Sequence, residues 1–168
     1  MNRLRKSATI GSLVAAAALA LAGTSAAQAA GTSPDAPWCT GDDLLIAAHD
    51  MRPTSSPNKG HVISFTAAEG VTCTIGGSLS NVRFLDAEGR DMNVPLTGGQ
   101  GEYTEATVSG YSSAVVYIGS PKKSSSVTPA FIQFDLPGQG SLGDRIVTAW
   151  PSWIGVPVQI GNIGWPVG

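Results

Sequence analysis

Short β-like runs separated by glycine, proline, serine and aspartate recur along the chain from Trp38 onward. The chain has 21 glycines and 11 prolines among its 168 residues. After residue 29, no segment has apolar side chains that recur every 3.6 residues, as they would in an amphipathic helix. About seven to nine short strands joined by turns predict an all-β fold, an antiparallel β-sandwich. The candidate strands are 44–49, 61–66, 82–85, 90–94, 106–108, 114–118, 131–136, 145–150 and 156–160.

The clearest local signal is a β-hairpin. The run 82–85 enters the segment Asp-Ala-Glu-Gly at 86–89, and the run 90–94 leaves it. Two longer polar loops, 52–60 and 97–105, are predicted to be mobile.

The first 29 residues have the pattern of a secretory signal peptide. Arg3, Arg5 and Lys6 form a basic head, and the run 10–22 has no charge. Small residues then lead to Ala-Gln-Ala at 27–29, which resembles a cleavage site. The uncharged run is 13 residues long, well short of the ~20 needed to cross a bilayer.

The same pattern divides the chain. Signal cleavage is predicted between Ala29 and Ala30, because small residues fill the positions before that bond. Thr24 stands where a lipoprotein signal needs cysteine, so no lipid anchor is predicted. Residues 30–37 are predicted to be a flexible leader, and 38–168 a single domain. The predicted location is extracellular.

The charge balance excludes one class of partner. The chain has 10 lysines and arginines, and loss of the three in the signal leaves seven against 12 acidic residues. The mature chain then has a net charge of −5, with Lys122-Lys123 as its only basic pair. Without a basic patch, neither nucleic acid nor an anionic membrane surface is a predicted partner. No membrane span is predicted.

Two cysteines remain after export, Cys39 and Cys73. An even number of cysteines in an exported chain predicts a disulfide. The chain-entropy model gives such a bridge roughly 4 kcal/mol at most. A structural zinc site would need two further ligands at short spacing, so no metal is assigned to this pair.

Several segments resemble an actinobacterial secreted family catalogued as domain of unknown function 4232. The similar segments are Cys39-Thr40 with Asp43-Leu44, the run 63–66, Cys73-Thr74-Ile75 with Gly77, the run 82–89, and Ser109-Gly110 with Ala114 and Tyr117. The resemblance covers roughly residues 38–136. The chain departs from the family at Ser78-Leu79, where the family commonly has Tyr-Pro, and at Ala67, where it commonly has Asn. The resemblance implies an immunoglobulin-like β-sandwich that is held by a Cys39–Cys73 bridge and lies outside the cell membrane. It assigns no catalytic residue and no ligand to this chain, because the family has no established activity.

The glycine-rich segment 138–143 matches the dinucleotide fingerprint G-x-G-x-x-G. That motif binds a pyrophosphate only between a strand and a helix, and here a β-branched run follows it. A loop between two strands is therefore the preferred interpretation. Ser141 is not predicted to be a nucleophile, because Gln139 replaces the first glycine of a nucleophile elbow.

The only histidines are His49 and His61, and the sequence shows no catalytic partner for either. Both are interpreted as lone surface histidines, near one another if the flanking runs pair as a hairpin. With Met51 and Met92 they offer soft ligands for copper(I), but nothing in the sequence fixes such a geometry. No metal site and no cofactor are predicted.

Three carboxylates surround Gly89 and could offer oxygen ligands to calcium: Asp86, Glu88 and Asp91. They do not fit the twelve-residue loop that supplies a full coordination shell. The chemistry of a tight turn explains an aspartate at its start and a glycine at its end.

Three of the four tryptophans lie within the last 19 residues: Trp150, Trp153 and Trp165. Packing of this segment onto the sandwich is the preferred interpretation. Trp153 is predicted to be partly exposed, because it lies between Pro151 and Gly155, outside the candidate strands. Trp153 and Trp165 are the candidate binding surface for a sugar ring or a partner protein.

The sequence therefore predicts a secreted, non-enzymatic binding or interaction module with no catalytic residues. An extracellular protease inhibitor that uses loop 52–60 or 97–105 is an alternative, and a carbohydrate- or metal-binding protein is a weaker one. The partner is predicted to be a protein or a carbohydrate of unknown identity. The sequence predicts no oligomeric state.

Overall fold

The computed structural model describes residues 36–98, 101–139 and 142–167. The predicted signal peptide and its cleavage bond at Ala29–Ala30 lie outside the described residues, as do Ser141 and most of the leader. Within these ranges the chain has no α-helix, so the all-β prediction is confirmed. None of the described segments is a helix long and apolar enough to cross a membrane.

The described residues form twelve strands after a short 3-10 turn at Gly41–Asp43. The strands are β1 (Leu44–Asp50), β2 (Asn58–Ala67), β3 (Cys73–Gly76), β4 (Ser80–Leu85), β5 (Leu96–Gly98), β6 (Glu105–Val108), β7 (Ser113–Pro121), β8 (Ser126–Val127), β9 (Phe131–Pro137), β10 (Leu142–Ala149), β11 (Ile154–Gly155) and β12 (Val158–Gly164). β9 ends at Pro137 and β10 begins at Leu142, so the glycine-rich segment 138–143 is followed by a strand and not by a helix, as predicted.

The larger sheet has five strands in the order β1-β2-β7-β12-β5. Its neighbours are antiparallel except for β5, which runs parallel to β12. A wholly antiparallel sandwich was therefore a wrong prediction at this edge. Gly98 permits the pairing, because it has a φ of +100° and a Cβ there would lie 2.3 Å from the carbonyl oxygen of Ile160.

The second main sheet has three strands in the order β10-β9-β4. The turn after β4 forms as predicted, with Asp86 Oδ1 accepting the N–H groups of Glu88 and Arg90. The predicted returning strand at 90–94 is wrong, because only Asp91 pairs with Leu85. Asn93 takes a φ of +51° and donates its N–H to Asp91 Oδ1, which turns the chain away from β4.

Large side chains from the two sheets meet in one core. The rings of Phe65 on β2 and Phe134 on β9 pack edge to face, with centroids 6.2 Å apart. Trp150 lies between the rings of Phe84 and His61, with centroids 4.9 and 4.7 Å away. This cross-sheet packing gives a sandwich-like fold.

The disulfide between Cys39 and Cys73 is confirmed, with Cα atoms 5.0 Å apart. It joins the chain before β1 to β3. The backbone supports the bridge, because the Cys39 N–H donates to Thr74 O at 2.9 Å and the Thr74 N–H donates to Pro37 O at 2.8 Å. Two smaller sheets, β3-β6 and β11-β8, complete the fold.

Candidate functional site

Three glycines on neighbouring strands form a recess on the outer face of the five-stranded sheet. They are Gly60 on β2, Gly119 on β7 and Gly161 on β12. Gly60 and Gly119 alternate with buried residues along their strands, so both face outward, and Gly161 lines the same recess from the irregular stretch of β12 between Ile160 and Ile163. Because glycine has no side chain, the sheet backbone is uncovered here and forms the floor of a cavity of about 680 Å³. We call it the glycine-floored cleft.

Gly119 is the most open part of the floor. A Cβ at this position would have no heavy atom within 4 Å, and its φ is not in the left-handed region. At Gly60, in contrast, a Cβ would lie 2.8 Å from Met51 Sδ. The Met51 side chain thus covers one end of the floor, while the centre is empty.

One wall of the cleft is the loop between β1 and β2, including Arg52, Thr54 and Ser56. Lys122, directly after β7, holds this wall, because its Nζ donates to the carbonyl oxygens of Thr54 and Ser56, each at 2.8 Å. The Lys122 N–H also donates to Pro57 O at 2.9 Å. The loop that the sequence suggested as an inhibitory segment is therefore tied to the sheet.

Trp153 lines the cleft and is 38 % exposed. The Lys59 ammonium lies 4.5 Å from the centroid of its indole ring, a cation–π contact. Lys59 Nζ also donates to Trp153 O at 3.2 Å and to Ser152 Oγ. The Trp153 prediction of partial exposure agrees with the structure. Trp165 is also exposed, but it does not line this cleft, so the two predicted binding residues are not brought together.

Beside the cleft lies a polar cluster of Asp50, Lys59, His61 and Ser152. We call it the inner polar cluster because its histidine points into the core, although Lys59 also lines the cleft and the Asp50 side chain is 43 % exposed. Asp50 Oδ1 is 3.3 Å from Lys59 Nζ and 3.2 Å from His61 Nε2. It also accepts the Ser152 hydroxyl at 2.7 Å. Burial raises the pKa of Asp50, but hydrogen bonds from Ser152 and Lys59 outweigh it and lower the pKa. Asp50 is therefore a stable carboxylate that neutralises Lys59.

His61 is fully buried, so its interpretation as a surface histidine is wrong. The period-two pattern carried the signal, because His61 falls on the same face of β2 as Ile63 and Phe65. Burial and the nearby Lys59 ammonium lower the pKa of His61 to about 4, against the opposing effect of Asp50. The ring is therefore neutral at pH 7. His49, in contrast, is exposed on β1, opposite Val62 in the strand register.

A serine, a histidine and an aspartate thus meet, but not in the geometry of a catalytic triad. In a triad the base binds the nucleophile through one ring nitrogen and the carboxylate through the other. Here Asp50 and Ser152 both approach Nε2 of His61, the latter at 3.5 Å, while Nδ1 is buried and has no partner among the described residues. The Ser152 hydroxyl donates to the carboxylate instead. These hydrogen bonds hold the side chains of the cluster together, but they do not activate the Ser152 hydroxyl as a nucleophile.

The charges around the cleft have the opposite sign to the chain as a whole. Arg52, Lys59 and Lys122 line it, and none of the described lining residues is aspartate or glutamate. Asp50 neutralises Lys59, which leaves Arg52 and Lys122 as net positive charges. The full chain has a net charge of −2.

The structure assembles no metal centre from the other candidates. Among the described residues, no three His, Cys, Asp or Glu side chains lie in a group that could hold a metal ion. Asp86 and Glu88 instead accept Arg90 Nε and Nη2 at 2.8 and 3.0 Å, and these contacts belong to the turn.

Comparison of the chain with protein-family models, with curated proteins and with solved structures finds no match. The resemblance to the family of domain of unknown function 4232 therefore stays a prediction.

Proposed function

We propose that this chain is a non-catalytic binding module that holds a small molecule in the glycine-floored cleft. The observation that supports it best is the cleft's volume of about 680 Å³, within the ~300–1,000 Å³ that is usual for small-molecule sites. Its surroundings also fit, since apolar and aromatic side chains lie beside a few polar groups.

The inner polar cluster supports binding rather than turnover. Lys59 makes contacts with Asp50, Ser152 and Trp153, which fixes the indole at the rim of the cleft. A rim side chain that is already held loses little entropy when a ligand binds. The cluster thus prepares the cleft, and no described nucleophile beside it is paired with a suitably placed base.

We further propose that the module is exported and immunoglobulin-like. The basic and apolar leader, the Cys39–Cys73 disulfide and the resemblance to a secreted family support export. The two main sheets with a shared core support a sandwich of that general kind.

The test is a fluorescence titration with N-phenyl-1-naphthylamine, a neutral aromatic dye that brightens in apolar sites. The disulfide-bonded protein is compared with Gly119→Leu, which fills the open centre of the floor. Gly164→Leu is the matched control, because its Cβ also meets nothing within 4 Å and Gly164 does not line the cleft.

Wild type and Gly164→Leu are expected to bind one dye molecule saturably. Gly119→Leu should weaken that binding at least tenfold while keeping the wild-type circular dichroism spectrum. Saturable binding that is equal in all three proteins, or no saturable binding by wild type, would overturn the cleft as the binding site.

A further inference from the structure

We infer that the ligand of the glycine-floored cleft is a planar apolar molecule that carries an anionic group, of the aromatic carboxylate class. This inference rests on the proposed binding function and adds the chemistry of the ligand. Two features of the cleft support it: the shape of its floor and the state of its cations.

The floor favours a planar body. Gly60 and Gly119 are directly paired across β2 and β7, so the floor is bare sheet backbone there. On β12 the partner of Gly119 is Gln159, which also lines the cleft, and Gly161 lies two residues further along that strand. Tyr117, Met51 and Trp153 line the cleft around this floor. A flat ring system can lie against such a floor and contact aromatic walls, whereas a branched molecule would not reach it.

The cations favour an anionic group. Arg52 has no ion pair within the described part of the chain, and it stands on a wall that Lys122 fixes. Lys122 uses two donors on the carbonyls of that wall, and its charge has no carboxylate partner among the described residues. A guanidinium binds a carboxylate through two parallel hydrogen bonds, which suits Arg52 to the role of anion partner.

Lys59 provides an internal comparison. Its ammonium lies near the same cleft, but Asp50 neutralises it and Ser152 and Trp153 accept its protons. The protein thus pairs the cation that holds Trp153 and leaves the wall cations unpaired. We assign recognition of the anion to Arg52, with Lys122 as the positioning residue that holds the loop.

The experiment is isothermal titration calorimetry with 2-naphthoate and 2-naphthamide, which share a ring and differ in charge. Wild type is expected to bind naphthoate about tenfold more tightly at low salt, since a hydrogen bond to a charged group is about that strong. Arg52→Gln should reduce naphthoate binding to the level of naphthamide and leave naphthamide unchanged. Lys123→Gln removes one neighbouring charge that does not line the cleft, and it should keep the preference.

The outcomes separate the two proposals. Equal affinity for both probes, with both lost in Gly119→Leu, would overturn the anionic ligand and keep the cleft as a binding site. An equal loss of preference in Arg52→Gln and Lys123→Gln would also overturn the assignment to Arg52. If neither probe nor the neutral dye binds in a way that depends on Gly119, the binding function itself fails.

Discussion

Gly60 and His61 are neighbours on β2, yet they belong to opposite faces of the five-stranded sheet and to differently built regions. On the outer face, Gly60 contributes bare backbone to the floor of the cleft. On the inner face, His61 is fully buried beside Trp150 and Asp50. One strand therefore provides bare backbone to an open recess on one side and a buried histidine to a polar cluster on the other.

The two regions also differ in whether their charged side chains form ion pairs. The inner cluster pairs Lys59 with Asp50 and uses the hydroxyl of Ser152 to complete the hydrogen bonds. The outer wall leaves Arg52 and Lys122 without a carboxylate in the described chain. The charged groups of the inner cluster pair with one another, whereas a charged group without an ion pair at a cavity is available to a ligand.

Replacement of the inner aromatic should have the largest effect. Trp150→Ala removes a buried ring that packs on Phe84 and His61, and should lower the free energy of unfolding by about 3–5 kcal/mol. Trp153→Ala, at the rim of the cleft, should cost far less because that ring is partly exposed. Urea unfolding of both variants with the disulfide intact measures the difference. A large and equal loss of unfolding free energy in both variants would show that Trp153 belongs to the core as much as Trp150 does.

The pH dependence of the free energy of unfolding tests the inner cluster separately, through the protonation of His61. His61 has a pKa of about 4 in the fold against an ordinary 6.5, so between these values the unfolded chain binds a proton that the folded chain does not. The contribution of the neutral His61 ring to the free energy of unfolding is complete above pH 6.5 and is lost as the pH falls to about 4. This loss is on the order of 3 kcal/mol in total.

Denaturant unfolding between pH 7 and pH 4 measures this slope. His61→Phe should flatten it in that window, because Phe cannot take up a proton. His49→Gln, which changes the exposed histidine, should leave the slope as in wild type. Carboxylates with lowered pKa values, among them Asp50 and Asp135, add a slope only towards the acid end of this range. A slope just below pH 6.5 that follows His49, or that is unchanged in His61→Phe, would contradict the neutral buried ring.

Much of the inner region could be predicted from the sequence, because local patterns encode it. The alternation around Ile63 and Phe65 located β2, and the two cysteines of the exported chain indicated the disulfide. The burial of His61 could have been predicted in the same way, but its partners could not. The β1–β2 pairing brings Asp50 and Lys59 together. Ser152 lies about 90 residues after His61 in the chain, so no local pattern connects the two.

The cleft could not be predicted from the sequence, because its floor is backbone at glycine residues, which leave no pattern of side chains to recognise. A glycine in a strand pattern usually indicates a turn or a break, and 21 of them gave no reason to select Gly60, Gly119 and Gly161. Only the register of β2 and β7 pairs Gly60 with Gly119, and the pairing of β7 with β12 brings Gly161 close to them, two residues beyond the partner of Gly119. The loop wall was missed for a related reason, since Lys122 lies 66 residues from the Ser56 carbonyl that it holds.

The smallest expected effect tests whether the floor is truly open. Gly119→Ala adds a methyl group where nothing lies within 4 Å, at a φ that alanine adopts without strain. Alanine also restricts the unfolded chain, so the variant should be more stable than wild type by about 0.4–1 kcal/mol. Gly164→Ala is equally open and should gain a similar amount. Urea unfolding of the two variants beside wild type provides the measurement. Destabilisation by Gly119→Ala alone would mean that another part of the protein already occupies the floor, and the contrast between an open outer face and a closed inner face would no longer hold.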